Sequence, residues 1–188
     1  MFRRLRLQFI MITSLAILFI LIFTVGIINT VRSFQTEQEI SKVLNILTEN
    51  NGSFGKIKKI ETNQGREIPS DSFRFFSLTL SDDKVVSQDT SHTSLINDEE
   101  AARYALTVSR LTNNLGTIRE KNINLSYQVS KVSRDKILVV FLDTSSYYNS
   151  SQALLSLSIL LSMFGFIFFV VIVSALSGIV IRPFIRNY

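Results

Sequence analysis

The sequence predicts an α+β protein in which two transmembrane helices flank a small extracytoplasmic antiparallel sheet with helices packed on it. Three observations lead there. Two runs without a single charged residue, 7–28 and 153–181, lie near the two ends of the 188-residue chain. Each exceeds the ~20 apolar residues that a helix, rising ~1.5 Å per residue, needs to cross the hydrocarbon core, where backbone groups must be satisfied internally. The intervening segment mixes helical and alternating spacings, as a folded domain does. The charges, finally, are distributed unevenly. Arg3, Arg4, Arg6, Arg182 and Arg186 occupy the tails, and the loop carries the other 15 basic residues and all 15 acidic ones. The net charge of +5 therefore belongs to the tails. That pattern predicts both termini in the cytoplasm of a multi-pass cell-membrane protein, and it makes the high pI a topology signal instead of a sign of nucleic-acid binding.

The expected organisation follows the chain. Residues 1–6 form a cytoplasmic tail and 7–28 the first span, whose apolar core is longer than the ~7–15 residues of a secretory signal. Residues 29–152 form the extracytoplasmic domain. Within it, 29–50 reads as a stalk helix continuing the first span, because Ile40, Val43, Leu44 and Leu47 recur at helical spacing. Nearer the membrane, Ile27, Val31 and Phe34 make a second stripe, out of phase with the first. Asn50-Asn51-Gly52 predicts a left-handed helix end.

Residues 53–146 are expected to mix strands and helix. KIKKIE reads as a short edge strand, with Lys discouraging edge-to-edge association. FRFFSLTL and KVVSQDT form a hairpin around Ser81-Asp82-Asp83, with Phe76, Leu78 and Leu80 on one face and Phe73 and Phe75 on the other. A helix follows, capped by Asn97 or Asp98, with Tyr104, Val108 and Leu111 as its apolar stripe and Asn113-Asn114-Leu115-Gly116 as its stop. NLSYQVSKVS and KILVVFLDTS make a closing hairpin around Ser133-Arg134-Asp135. The unbroken apolar run 137–142 predicts a strand buried on both faces. The second span, 153–181, leads into a cytoplasmic segment, 182–188. Trp is absent, so Tyr147, Tyr148 and Tyr188 are candidates for the interfacial belt.

Catalytic chemistry is sparse. There is one His, no Cys, no Gly-rich phosphate loop and no metal-ligand spacing, so no catalytic residue, cofactor or metal is expected. His92 reads as a surface-loop residue. Asp98, Glu99 and Glu100 read as a helix cap and first-turn acids, each contributing ~0.3–1 kcal/mol, ahead of a cation site. Asp82-Asp83 lacks the alternating ligands of a calcium loop. Lys56, Lys58 and Lys59 read as a solvated edge, ahead of a site for anionic polymers. In the second span Ser158 and Ser162, and Ser174 and Gly178, are small residues four apart, a spacing that permits close helix approach in lipid. Pro183 falls where that helix leaves the membrane. Ser174, Gly178 and Pro183 are the candidates for signal transmission.

RFFSLTLSDDKVVSQDTSH, the DEEAARYA helix start, KILVVFLDTS and a second span running into IRPFIRNY occur in the order seen in a known family. Over Arg74 to Tyr188 the chain resembles the sensor half of membrane histidine kinases of Gram-positive bacteria. The resemblance implies a PAS-like domain with FRFFSLTL and KILVVFLD as central strands. It implies a homodimer in the membrane that signals to a cytoplasmic kinase module and a response regulator. In that family, Arg-Pro is followed by a helix carrying a His-Glu-Leu-Lys-Thr-Pro box. These 188 residues contain neither that box nor ATP-lid motifs, so no kinase activity is expected of them alone. Two other classes fit the same layout: the input half of a chemoreceptor or cyclase, and a two-pass structural protein of the envelope.

Overall fold

The computed structural model describes residues 2–63, 65–120 and 123–186, without the side chains of 2, 3, 5, 6 and 177–186. The chain forms two compact units, residues 34–149 and residues 1–33 with 150–188.

The first helix, α1 (Phe2–Glu49), is continuous, as the stalk reading expects. Its last turns belong to the 34–149 unit. There Ile40, Val43, Leu44 and Leu47 are buried, while Phe34, Gln38, Lys42 and Asn45 face outward. Four such side chains contribute roughly 6–12 kcal/mol of burial before the entropy of ordering them is counted. The helix ends as predicted. Asn51 and Gly52 are both left-handed (φ 56° and 86°), and the Gly52 N–H donates to the Leu47 carbonyl at 2.7 Å. Gly52 is needed for a second reason. A Cβ on it would lie 2.5 Å from the Ser77 Cβ.

KIKKIE is only partly strand. β1 (Lys59–Glu61) pairs with β2 (Glu67–Pro69) in a separate two-stranded ribbon and is not an edge of the main sheet. The main sheet has five antiparallel strands: β3 (Phe75–Ser81), β4 (Lys84–Asp89), β5 (Leu115–Glu120), β6 (Ile123–Lys131) and β7 (Lys136–Asp143), in the order β4-β3-β7-β6-β5. Asp82 and Asp83 make the β3–β4 turn with φ of 49° and 58°, the doubly left-handed geometry of a two-residue hairpin. β5 is a strand where the sequence reads as a helix stop. α2 (Asp98–Ser109) ends earlier than expected, and Leu115-Gly116 open β5.

Two apolar cores lie on the two faces of the sheet. On one, α1 and the β1–β2 ribbon cover Phe73, Phe75, Leu138, Val140 and Leu142. On the other, α2 covers Phe76, Leu78, Leu80, Val139 and Phe141. The expected division of β3 between faces is therefore present. β7 is buried on both faces, with residues 138–142 at 3% exposure or less. α2 buries Ala101, Ala105 and Val108. Of the expected Tyr104, Val108 and Leu111, Val108 is buried and Tyr104 packs half-buried against this core, while Leu111 is 51% exposed. The small Ala side chains let the helix lie close to the sheet.

The other unit comprises the apolar parts of α1 and of α3 (Ser145–Arg186), two helices long and apolar enough to cross a membrane. None of either apolar window is buried within the chain, which separates both from the core helix of a soluble domain. Each helix partly shields one stripe at three- and four-residue spacing: Ile10, Thr13, Ser14, Ile17, Leu21 and Val25 on α1, and Leu155, Ser158, Ser162, Phe166, Val170 and Val173 on α3. Several hydroxyls in these helices turn back onto their own backbone. Thr13 donates to Phe9 O at 2.8 Å, Thr24 to Ile20 O at 2.8 Å, and Ser158 to Leu154 O at 2.9 Å, as an apolar surrounding demands.

Candidate functional site

The chemistry of the 34–149 unit concentrates where β7 hands over to α3. Asp143, Thr144 and Ser145 are a cap signal, and the structure uses all three. The Asp143 carboxylate accepts from the Ser145 N–H at 2.9 Å. The Ser145 hydroxyl accepts from the Asn124 N–H at 3.0 Å. The Asn124 carbonyl accepts from both the Thr144 N–H at 2.8 Å and the Thr144 hydroxyl at 3.0 Å. Both backbone groups of Asn124 thus hold the first turn of α3 to β6. A chain of hydroxyls continues inward. Thr144 Oγ1 and Ser126 Oγ are 3.2 Å apart, as are Ser126 Oγ and Thr117 Oγ1 on β5. Thr144 is fully buried and Ser126 nearly so. The two buried hydroxyls, Thr144 and Ser126, are satisfied by each other, by the Asn124 carbonyl and by Thr117, so the chain is structurally committed.

Beside it lies a half-open cavity of about 180 Å³. α1 contributes Glu37, Ile40, Ser41 and Leu44 to its lining. The sheet contributes Leu115, Gly116, Thr117 and Ser126, and Tyr148 of α3 completes it. Ile40, Leu44 and Leu115 are its large apolar side chains, and Glu37 is the single charged lining residue. Arg119 lies over the Tyr148 ring, 5.2 Å from its centroid. Gln128 stands next to Leu115 in register and donates through Nε2 to Asn45 Oδ1 at 2.8 Å. Its Oε1 is shielded from solvent and has no hydrogen-bond partner.

The residues singled out from sequence fall elsewhere. His92 is exposed in the loop after β4, as read, and its ring also stacks on Phe75 at 4.5 Å, closing the edge of one core. Nearby, the Ser91 hydroxyl and N–H hold the Asp89 carboxyl below the usual range. Asn97 caps α2 in a reciprocal box with Glu100, and Asp98 Oδ1 accepts from Thr90 at 2.8 Å. Glu100 is thus engaged in helix capping and Asp98 in a bond to Thr90, and among the described residues no group of three or more His, Cys, Asp or Glu could hold a metal. Lys59 pairs with Glu67 at 2.5 Å, and that contact raises its pKa. Tyr104 on α2 donates to Glu120 of β5, which raises the phenol's pKa. Tyr147 and Tyr148 are half-buried and pack against the α1-side core. Ser174 lies half-buried in α3. Gly178 and Pro183 fall within the bounds of α3, but their side chains lie outside the described residues, as does Tyr188 entirely.

Sequence reading missed the hydroxyl chain. Its signal was present, since Asp-Thr-Ser before a long apolar run is a helix-start pattern. No known protein-family model matches the chain, and no curated protein is similar to it.

Proposed function

We propose that this chain is the signal-input module of a two-component sensor histidine kinase. It acts as a homodimer in the membrane, with both termini cytoplasmic and the 29–152 segment outside, and a PAS-like domain between its spans. The observation that carries this reading is how the two long helices join one folded core. α1 supplies Ile40, Val43, Leu44 and Leu47 to that core, and the first turn of α3 is fastened to β6 through Asn124, Thr144 and Ser145. A shift in the domain then has a direct route to both helices. The PAS-like assignment is supported by the pairing of FRFFSLTL (β3) with KILVVFLD (β7) inside the sheet, and by the order β4-β3-β7-β6-β5 with α2 on the connection between β4 and β5. Transmission needs two arrangements of close energy that a signal binds with different affinity. Ser174, Gly178 and Pro183 lie on the expected path to a kinase module and its response regulator.

The test fuses residues 1–188 in register to a complete cytoplasmic kinase core and measures autophosphorylation in nanodiscs. Ser145→Ala and Ser126→Val should each change basal activity at least threefold, and Gly178→Leu should shift it further by blocking close helix approach. Equal activity in all three variants and the parent sinks the reading.

A further inference from the structure

We propose that the cavity between α1 and the β5–β6 edge binds a small primary ammonium compound with a short alkyl body and a hydrogen-bond donor at its far end. The proposal rests on the sensor reading and deepens it by naming a ligand class and the residues that meet it.

The argument starts from what lines the space. A cavity of about 150 Å³ accommodates a molecule the size of benzene, so 180 Å³ suits a ligand of seven or eight heavy atoms. Glu37 is the only charged group in the lining, and no Lys, Arg or His joins it. Arg119 is held over the Tyr148 ring and does not line the space. An anionic ligand would meet an uncompensated carboxylate; an ammonium would meet its counter-ion. Glu37 is itself exposed at the mouth, so the ion pair forms without burying a bare charge. Ile40, Leu44 and Leu115 give the cavity an apolar wall. The second polar feature of the lining is the Ser126–Thr117 hydroxyl pair, of which Ser126 is the buried member. Glu37 and Leu44 are seven residues apart on α1, about 10 Å at 1.5 Å rise per residue. An extended five-carbon amino alcohol, with a hydrogen bond at each end, spans about that length. Its hydroxyl would meet the Ser126–Thr117 pair, from which the hydroxyl chain runs to Thr144, so occupancy would act on the fastening of α3.

The experiment titrates the full chain in nanodiscs with 5-amino-1-pentanol by isothermal calorimetry. The controls are 1,5-pentanediol, which lacks the charge, and pentylamine, which lacks the distal donor. Saturable binding of the amino alcohol is expected, with the diol at least tenfold weaker and pentylamine several-fold weaker. Glu37→Gln, an exposed substitution that the fold tolerates, should abolish the preference for the amino alcohol over the diol. Leu115→Trp, at the exposed sheet edge, should fill the space and remove binding. No binding up to ~10 mM, beyond the weak end of ordinary affinities, overturns the proposal. So does equal affinity for the diol, or a preference that survives Glu37→Gln. The kinase fusion separates this site from the sensor reading. If the amino alcohol binds and autophosphorylation stays constant, the site stands and the sensor reading falls. If the Ser126 and Ser145 variants alter the kinase but nothing binds, the site falls alone.

Discussion

Gly52→Ala tests the close approach of the helix end to the sheet. Two separate penalties meet at this position. The backbone is left-handed, with φ of 86°, which costs an L-residue about 1–2 kcal/mol. The added Cβ would also lie 2.5 Å from the Ser77 Cβ on β3, a contact no side-chain rotation relieves, because Cβ moves only with the backbone. Overpacking of that kind costs about 1–3 kcal/mol, so the expected total is about 2–5 kcal/mol. Gly65 is the internal control. It is also left-handed (φ 71°), but a Cβ there meets nothing within 4 Å, so Gly65→Ala carries the backbone penalty alone. Ser77→Gly supplies the reciprocal test, since it removes the obstructing atoms and leaves φ unchanged. In the double variant the steric part should disappear as a coupling of about 1–3 kcal/mol. The assay is native-state amide exchange of Val139 and Val140 in the full chain, because the central strand opens only with the whole domain. If Gly52→Ala destabilised no more than Gly65→Ala, and Ser77→Gly gave no rescue, the packing of the α1 end on β3 would be wrong.

Val139→Asp should destabilise the domain by about 1–3 kcal/mol more than Val140→Asp, measured by the same exchange, because Val139 faces only Leu78 and Val129 across the strands whereas Val140 lies opposite Ser77 and Gln128, which offer hydrogen bonds. Asn97→Ala should cost about 1 kcal/mol and speed exchange in the first turn of α2, since it removes the reciprocal cap with Glu100; unchanged protection there contradicts the cap. Single cysteines at Ser87 and Asn187, probed in intact cells with a membrane-impermeant thiol reagent, should label at 87 and not at 187, and the opposite pattern reverses the proposed topology.

What the sequence made legible followed from strong local periodicity. The β3–β4 turn, the two faces of β3 and the doubly buried β7 were each readable because every residue agreed with one pattern. β5 was not readable. LGTIRE carries a Gly and two charges, and its strand state comes from pairing with β6 across the whole segment. Gly116 is there for a tertiary reason, since a Cβ would meet the Tyr127 hydroxyl at 2.5 Å. The stripe of α2 was legible in part. Val108 is buried and Tyr104 packs against the core with its hydroxyl reaching Glu120, but Ala101 and Ala105 take the deepest positions and Leu111 lies outside. Local pattern cannot decide how deep a small side chain sits beside a large one. Most of the candidate site was hidden because it joins Glu37, Thr117, Ser126 and Tyr148 from four elements.

The polar side of β6 carries the deepest physical question in this fold. Leu125 and Tyr127 are buried toward α2, whereas Asn124, Ser126, Gln128 and Ser130 occupy the alternate positions, on the side where α1 lies. Read alone, that alternation describes a solvated face. Here a helix partly covers it, and Gln128 is left with a shielded acceptor and no donor. Such an orphan costs about 1–3 kcal/mol, which an apolar side chain of similar size avoids. Gln128→Leu should therefore raise the stability of the domain by about 1 kcal/mol, since Asn45, its remaining partner, is exposed and can turn to water. Loss of stability in Gln128→Leu would instead make the Asn45–Gln128 bond a structural tie.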